Sequence, residues 1–306
     1  MHIEADGCLQ NNLKIDRMRI AYLIVAHDNF LHLERLIEEL TDENVDFFLH
    51  VDKKAELPAT FPKYKNVSII NKRVKIYWGG FSLVMATINL LEASISGNYD
   101  YYIFLSGVHF PIRSKQKIYD HLSKGGEFLD IIKGFSKHKP ETRVARYYFE
   151  GFNRKNRRSI KTLFFLVYEL VLSKLVKRKY PVAQFYNGAT WFAVTHACNE
   201  FILNYIKQNN NILKFYSNTF CADEGFFHTI IGNSDFYKNV KPNLTYTDWS
   251  AHAASPANIV DKHVEMFKNQ EEFESVYGKF KPLFARKFTD NSFQVVQKIQ
   301  KELLRL

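Results

Sequence analysis

Two pairs of adjacent charged residues and one carboxylate beside a tryptophan carry the chemistry that can be read from this sequence. Asp223-Glu224 opens the apolar segment DEGFFHTII. An aspartate in that place can N-cap a helix and put the glutamate in its first turn, with Phe226-Phe227 as the apolar anchor. A carboxylate fixed in this way can act as a general base, taking the proton of a hydroxyl as its oxygen attacks. The structural alternative, a cap followed by a first-turn acid, is a very common pattern. Arg286-Lys287, in LFARKF, sets two positive charges between phenylalanines. Arginine grips phosphate bidentately and lysine acts as a point charge, so the pair can replace a metal ion at a diphosphate; an adjacent Arg-Lys pair is also an ordinary solvated surface feature. Asp248-Trp249, in LTYTDWS, combines an apolar ring face with a hydroxyl acceptor, as sugar sites do, and also fits a core tryptophan beside a turn aspartate. His27, His50 and His228 lack metal-ligand spacing and read as hydrogen-bonding or core residues.

Some chemistries are poorly supported. No G-x-G-x-x-G follows the first apolar run and no G-x-x-x-x-G-K-[ST] occurs, which disfavours dinucleotide redox chemistry and P-loop phosphoryl transfer. There is no Asp-x-Asp to hold a divalent ion at a diphosphate, so side-chain cations would have to neutralise such a group.

Alternating strands and helices must position these residues. Arg19 to His27 is a continuous apolar run of the buried parallel-strand kind, followed by a helical pattern over Phe30 to Leu40 and a strand over Phe47 to Val51. Val67 to Ile70 reads as a third strand, Leu83 to Ser96 as a helix and Tyr101 to Ser106 as a strand. Further on, Thr190 to Thr195 reads as a strand and His196 to Lys207, Asp223 to Ile231 and Ser292 to Leu306 as helices. This order predicts a mostly parallel sheet covered on both faces, with ligands bound beyond the carboxyl ends of its strands. The residues falling there are His27-Asp28, Asp52-Lys53, Trp78-Gly79-Gly80 and Ser106-Gly107. We divide the chain into an arm, residues 1–17, and one domain, residues 18–306, made of a nucleotide-binding half (18–140), a basic and apolar insertion (141–182) and an acceptor and catalytic half (183–306).

The 306 residues carry 42 Lys+Arg against 32 Asp+Glu, a net charge of +10 that predicts an anionic partner. Most of the excess is local. Residues 151–180 hold nine basic side chains and one acid, Glu169, around the apolar stretch TLFFLVYELVLS. That stretch is shorter than the roughly 20 residues needed to cross a bilayer, so it reads either as an interfacial helix on anionic lipid or as a core helix with solvated ends. Its aromatic residues are not interleaved with the basic ones, which argues against nucleic acid. With 46% hydrophobic residues, including 27 Phe and 17 Tyr, there is ample material for a core. The three cysteines, Cys8, Cys198 and Cys221, are scattered and fit a reducing compartment. The first residues carry no pattern of a secretory signal.

The segments AYLIVAHDN, FFLHVDKKA, VKIYWGGFSLVMATINLL, YYIFLSGVHFPIRS, NGATWFAVTHAC, ADEGFFHTII, LTYTDWS and LFARKF, in this order, resemble the Core-2/I-branching β-1,6-N-acetylglucosaminyltransferase and peptide O-xylosyltransferase family, glycosyltransferase family 14. The resemblance implies a GT-A-like fold and a metal-independent, inverting transfer of GlcNAc or xylose from a UDP-sugar, with no cofactor. It implies Glu224 as the catalytic base and Arg286 with Lys287 as the cations at the donor diphosphate. Asp52 and Lys53 resemble the uridine region, Trp78 and Gly79 part of the donor pocket, and Trp191, Asp223, Asp248 and Trp249 the acceptor and donor-sugar side. The animal enzymes' anchor and disulfides are not matched in this sequence. The expectation is therefore a bacterial-type enzyme in the cytoplasm or on the cytoplasmic face of the inner membrane, acting on a glycan, lipid-linked or polysaccharide acceptor. The alternatives are a non-catalytic nucleotide- or sugar-binding module and a membrane-associated scaffold.

Overall fold

The computed structural model describes residues 18–154, 156–250 and 255–305. Its centre is a seven-stranded sheet of β1 (Ile20–Ala26), β2 (Val45–Val51), β3 (Val67–Ile69), β4 (Tyr101–Ser106), β6 (Glu127–Leu129), β9 (Phe192–Thr195) and β10 (Val240–Lys241), in the order β10-β6-β9-β4-β1-β2-β3. All neighbours pair in parallel except β9, which is antiparallel to both β4 and β6. This is the mostly parallel α/β sheet that the alternation of apolar runs and helical patterns implies, and it is consistent with the GT-A-like fold that the resemblance implies. Every residue of β1 is buried, which is why it reads as a continuous apolar run and not as an alternating one. Ile20, Tyr22 and Ile24 join one core with Leu33, Leu36 and Ile37 of the helix Phe30–Leu40. Ala21, Leu23 and Val25 join the other with Val84, Ile88 and Leu91 of the helix Ser82–Ser94.

The chain runs outward from β1 through β2 to β3, then returns to place β4 on the other side of β1. That reversal opens a crevice beyond the carboxyl ends of β1 and β4, the position where such sheets take ligands. A three-stranded sheet builds its wall: β5 (His109–Pro111) pairs with β14 (Phe284–Arg286), which pairs with β11 (Thr245–Thr247). Two short pairs complete the strand set, β7 (Ile132–Lys133) with β8 (Tyr186–Asn187) and the hairpin β12 (Phe273–Ser275) with β13 (Gly278–Phe280).

Two segments differ from their expected form, and a third excludes one of its two readings. Asp223 does not cap a helix: residues Ala222–Glu224 form a single 3-10 turn, Gly225 interrupts with φ −142° and ψ −31°, and the α-helix begins at Phe226 and ends at Gly232. The carboxyl end of the chain is a short α-helix, Phe293–Ile299, between a 3-10 turn, Asp290–Ser292, and a wide turn, Gln300–Leu304. The basic-flanked apolar stretch forms a 16-residue helix, Ile160–Leu175, but not a core helix, because most of its apolar side chains face outward. Among the described residues no helix is long and apolar enough to cross a membrane. Residues 1–17 lie outside the described residues.

One close approach joins the two halves of the crevice wall. A Cβ added at Gly188 would sit 1.7 Å from the Asp130 carbonyl oxygen and 2.5 Å from His228 Cδ2. Backbone cannot yield as a side-chain tip can, so Gly188→Ala should lower unfolding stability by about 3 kcal/mol or more in a urea titration. A loss below about 1 kcal/mol would contradict this packing.

Candidate active site

The 220–225 turn is tied by four hydrogen bonds to three other segments of the chain. The Phe220 amide donates to the Arg143 carbonyl (2.9 Å) and the Cys221 amide to the Gly79 carbonyl (2.8 Å). The Gly188 amide donates to the Glu224 carbonyl (2.9 Å), and the Thr190 hydroxyl donates to Asp223 Oδ2 (2.7 Å). Cys221 takes φ 51°, a left-handed residue that reverses the chain into the turn.

These bonds decide what each carboxylate faces. Glu224 Oε2 accepts from Lys139 Nζ and from Arg143 Nη1, the latter at 2.6 Å. Burial alone would raise the Glu224 carboxyl, but Lys139 and Arg143 outweigh it and hold the group below the usual glutamate range. Asp223 is pushed upward, by burial first and then by the neighbouring Glu224 charge. The pair is therefore uneven: Glu224 stays ionised and Asp223 holds its proton more tightly.

Arg286 has the reverse problem. Arg286, at the end of β14, lies with its guanidinium 4.7 Å over the Trp191 ring, and its Nε has no hydrogen-bond partner in the structure. Burial lowers the guanidinium to about 10, and among the described residues no carboxylate offsets that cost. It remains charged at neutral pH. Trp191 is itself held by Phe104 (5.2 Å) and edge-on by His109 (4.6 Å). His109 is kept neutral by burial and by the adjacent Arg286 charge, and its Nδ1 accepts from the Ser106 amide at 3.0 Å. Lys287 is tied through its backbone to the loop after β11: its amide donates to the Ala257 carbonyl (3.3 Å), and the Ala257 amide donates to the Asp248 carbonyl (2.8 Å).

The other expected residues surround this pair. Asp52, at the end of β2, is buried and braces the strap that leads to Trp78: Oδ1 accepts from the Lys54 amide (2.8 Å) and Oδ2 from the Ile76 amide (3.3 Å). Lys53 points to solvent, and the side chain that reaches back to Asp52 is Lys54, at 3.4 Å. Arg73 reinforces the strap by donating to the carbonyls of Val51, Asp52 and Ala55. Trp78 is half-exposed and meets the Phe220 ring edge-on at 5.5 Å. Gly79 has φ 70°, and a Cβ there would lie 2.5 Å from Phe220, so only glycine fits beneath the tryptophan. Trp249 is exposed. Asp248 has its oxygens filled from within the protein: Oδ1 accepts from the Ser250 amide (2.8 Å) and Oδ2 from His263 Nε2 (3.0 Å). It braces the turn, while its neighbour faces outward. His50 and His228 are buried and hydrogen-bonded, to the Val74 amide and the Ala189 carbonyl respectively. Among the described residues no group of three or more His, Cys, Asp or Glu could hold a metal ion.

Lys139, Arg143 and Lys54 escaped the sequence reading, as did Tyr277. The hairpin tip brings Tyr277 close enough to Asp130 and Glu224 that their charges, after burial, push its phenol upward. The one available signal was the density of basic residues in KHKPETRVAR, which says nothing about direction.

The Core-2/I-Branching enzyme family model matches residues 20–274. The chain belongs to that family. Its curated relatives include a xylosyltransferase of Ciona intestinalis, 28% identical over 244 residues, covering 76% of this chain and 27% of that protein. Xylosyltransferase 2 of Rattus norvegicus is 26% identical over 308 residues, covering 92% of this chain and 33% of that protein. Xylosyltransferase oxt of Drosophila pseudoobscura pseudoobscura is 26% identical over 246 residues, covering 76% and 26%. The chain thus spans about a third of the length of the curated relatives it matches. The family match stops before Arg286, whereas the alignment to the rat protein takes in nearly the whole chain.

The bracing of Asp248 has a pH signature. Hydrogen bonds from Ser250, and then His263, lower its carboxyl from 3.8 to about 2. A depressed carboxyl contributes stability that is fully present above its unfolded value and is lost as pH falls through its folded one. Asp248→Asn should therefore cost about 2 kcal/mol at neutral pH and flatten the stability curve between pH 4 and 2, read by denaturant midpoints across that window. A variant whose midpoints track the parent protein at every pH would remove the bracing role.

Proposed function

We propose that this chain is an inverting, metal-independent glycosyltransferase that moves GlcNAc or xylose from a UDP-sugar to an acceptor hydroxyl in the synthesis of a surface glycan or polysaccharide, on a lipid carrier or a growing chain. The observation that carries this reading is the charge arrangement of the crevice: a carboxylate held ionised on one side, and on the other a desolvated guanidinium that no protein anion neutralises.

In this reading the diphosphate is the anion that Arg286 lacks. Arginine can take two of its oxygens and Lys287 adds charge as the bond to the anomeric carbon breaks, so negative charge growing on the leaving group meets preorganised donors. Glu224 is the base. Both of its cation contacts use Oε2, leaving Oε1 for the acceptor hydroxyl. The oxygen attacks the anomeric carbon from the face opposite the diphosphate while its proton passes to the carboxylate, so configuration inverts in a single displacement. Lys139 and Arg143 aim Glu224 and keep it ionised, at the cost of making it a weaker base. Asp52 and the strap to Trp78 shape the uridine side, and Trp191 gives the sugar a flat wall fixed under Arg286.

Glu224→Gln should keep the fold and cut transfer by roughly 100-fold or more; near-normal transfer would remove the base from Glu224. Activity that needs the Glu224 carboxylate is present above its lowered pKa and fades as pH falls through it, so the acid limb of kcat/KM should lie below the ordinary 4.5. Arg143→Ala removes one of the two cations, and the limb should move up toward the ordinary glutamate value. An unmoved limb would mean that another group sets it. Donor and metal are tested together by thermal shift with UDP, UDP-GlcNAc, UDP-xylose and UDP-glucose, with and without EDTA. The reading expects stabilisation by UDP that EDTA leaves intact, and fails if UDP has no effect or acts only with Mn2+.

A further inference from the structure

The helix Ile160–Leu175 is built inside out. Its side toward the protein carries Thr162, Glu169 and Ser173 along with the half-buried Phe165, Leu166 and Leu172, while Ile160, Leu163, Phe164, Val167, Tyr168, Leu170, Val171 and Leu175 face solvent. Ile160 is 86% exposed, Phe164 65% and Leu175 78%. This is no accident of rotation, because the polar side is locked. Glu169 pairs with Arg154 and accepts the Phe149 amide at 2.7 Å, the Thr162 hydroxyl donates to the Asn153 carbonyl at 3.1 Å, and the Ser173 hydroxyl accepts the Tyr147 amide at 3.2 Å. Turning the apolar side inward would break all three and leave a buried ion pair without its partners.

We infer that this face docks the protein peripherally on an anionic lipid bilayer, with the helix lying in the plane of the interface. At 1.5 Å per residue the helix is about 24 Å long, and basic residues stand at both of its ends. Arg157, Arg158 and Lys161 precede or open it, Lys174, Lys177 and Lys179 close or follow it, and all six are exposed. The one acid of the segment, Glu169, is turned inward and neutralised by Arg154. An apolar stripe with cations at its margins matches acyl chains bordered by anionic headgroups. A second copy is a poor occupant, since pairing two such faces would bring two sets of basic residues together without a counter-charge.

The position of the face gives the docking a purpose. The loop that holds the helix, residues 147–154, also reaches the crevice: Tyr148 packs on Phe220 at 5.3 Å, and Glu150 Oε2 accepts from the Ser82 amide and hydroxyl, at 3.0 and 2.7 Å, next to Gly80. A bilayer on this face therefore sets the Trp78 side of the crevice near the lipid surface. Docking itself does not depend on the transferase reading, and UDP binding reports on that reading separately.

The test is co-sedimentation of the whole chain with vesicles of phosphatidylcholine alone and of phosphatidylcholine with phosphatidylglycerol, at low and high salt. The parent protein should bind the mixed vesicles, and salt should weaken it. Phe164→Ser with Val167→Ser and Val171→Ser should weaken binding at least tenfold, and Arg157→Glu, Arg158→Glu, Lys174→Glu and Lys177→Glu about five-fold per charge removed. These side chains are exposed, so unfolding temperatures should stay near the parent value. Binding that neither variant alters, or no binding to phosphatidylglycerol, overturns the inference. So does a dimer in sedimentation velocity that the Phe164 variant abolishes, because the face would then belong to a second copy.

Discussion

The backbone of the 220–225 turn is the constraint on which the rest of the crevice depends. Four bonds from this turn bind the Gly79 loop, the Arg143 segment, the Gly188 strand end and the Thr190 hydroxyl to one another. Gly188 and Thr190 belong to one segment, the Gly79 loop and the Arg143 segment lie far from it in sequence, and the backbone at Gly79 and Gly188 closes on neighbours too tightly for any side chain. A turn held by four bonds cannot rotate to relax its charges, so Asp223 and Glu224 must be neutralised where they stand. Lys139 and Arg143 do this for Glu224, while the Thr190 hydroxyl donates to Asp223, whose carboxyl burial and the Glu224 charge raise to about 6.

What results is a division of charge. On one side a carboxylate has two cations; on the other a guanidinium has an aromatic ring and no anion. A desolvated cation is costly when unpaired, and proteins rarely leave one so without a ligand to receive. The +10 of the whole chain played little part in locating it, because most of that excess sits on the helix Ile160–Leu175 and its flanks.

Much of the frame was legible in the sequence, for a physical reason. β1 and β4 are buried throughout and read as continuous apolar runs, and the helix Phe30–Leu40 carries a clear apolar face. The strands that build the wall were not legible. β5, β11 and β14 are three residues each, too short for a period, and only their pairing brings His109, Thr247 and Arg286 together. Asp223 looked like a helix cap because its residue type fits one. Gly225 delays the helix, and the carboxylate finds Thr190 instead. Lys139 and Arg143 were invisible for a different reason, since a basic residue in a basic stretch does not announce which acid it faces. The helix Ile160–Leu175 was ambiguous by composition alone; the direction of Glu169 toward Arg154 shows that its apolar side is not buried in the core.

The central claim is that Arg286 is left unpaired so that it can receive a diphosphate. Calorimetric titration with UDP and with uridine, in the parent protein and in Arg286→Ala, isolates that interaction, because uridine lacks the phosphates and shares the base and ribose. The account predicts UDP binding about 100-fold tighter than uridine in the parent, shrinking to tenfold or less in the variant while uridine affinity is unchanged. An undiminished preference for UDP in Arg286→Ala would contradict it.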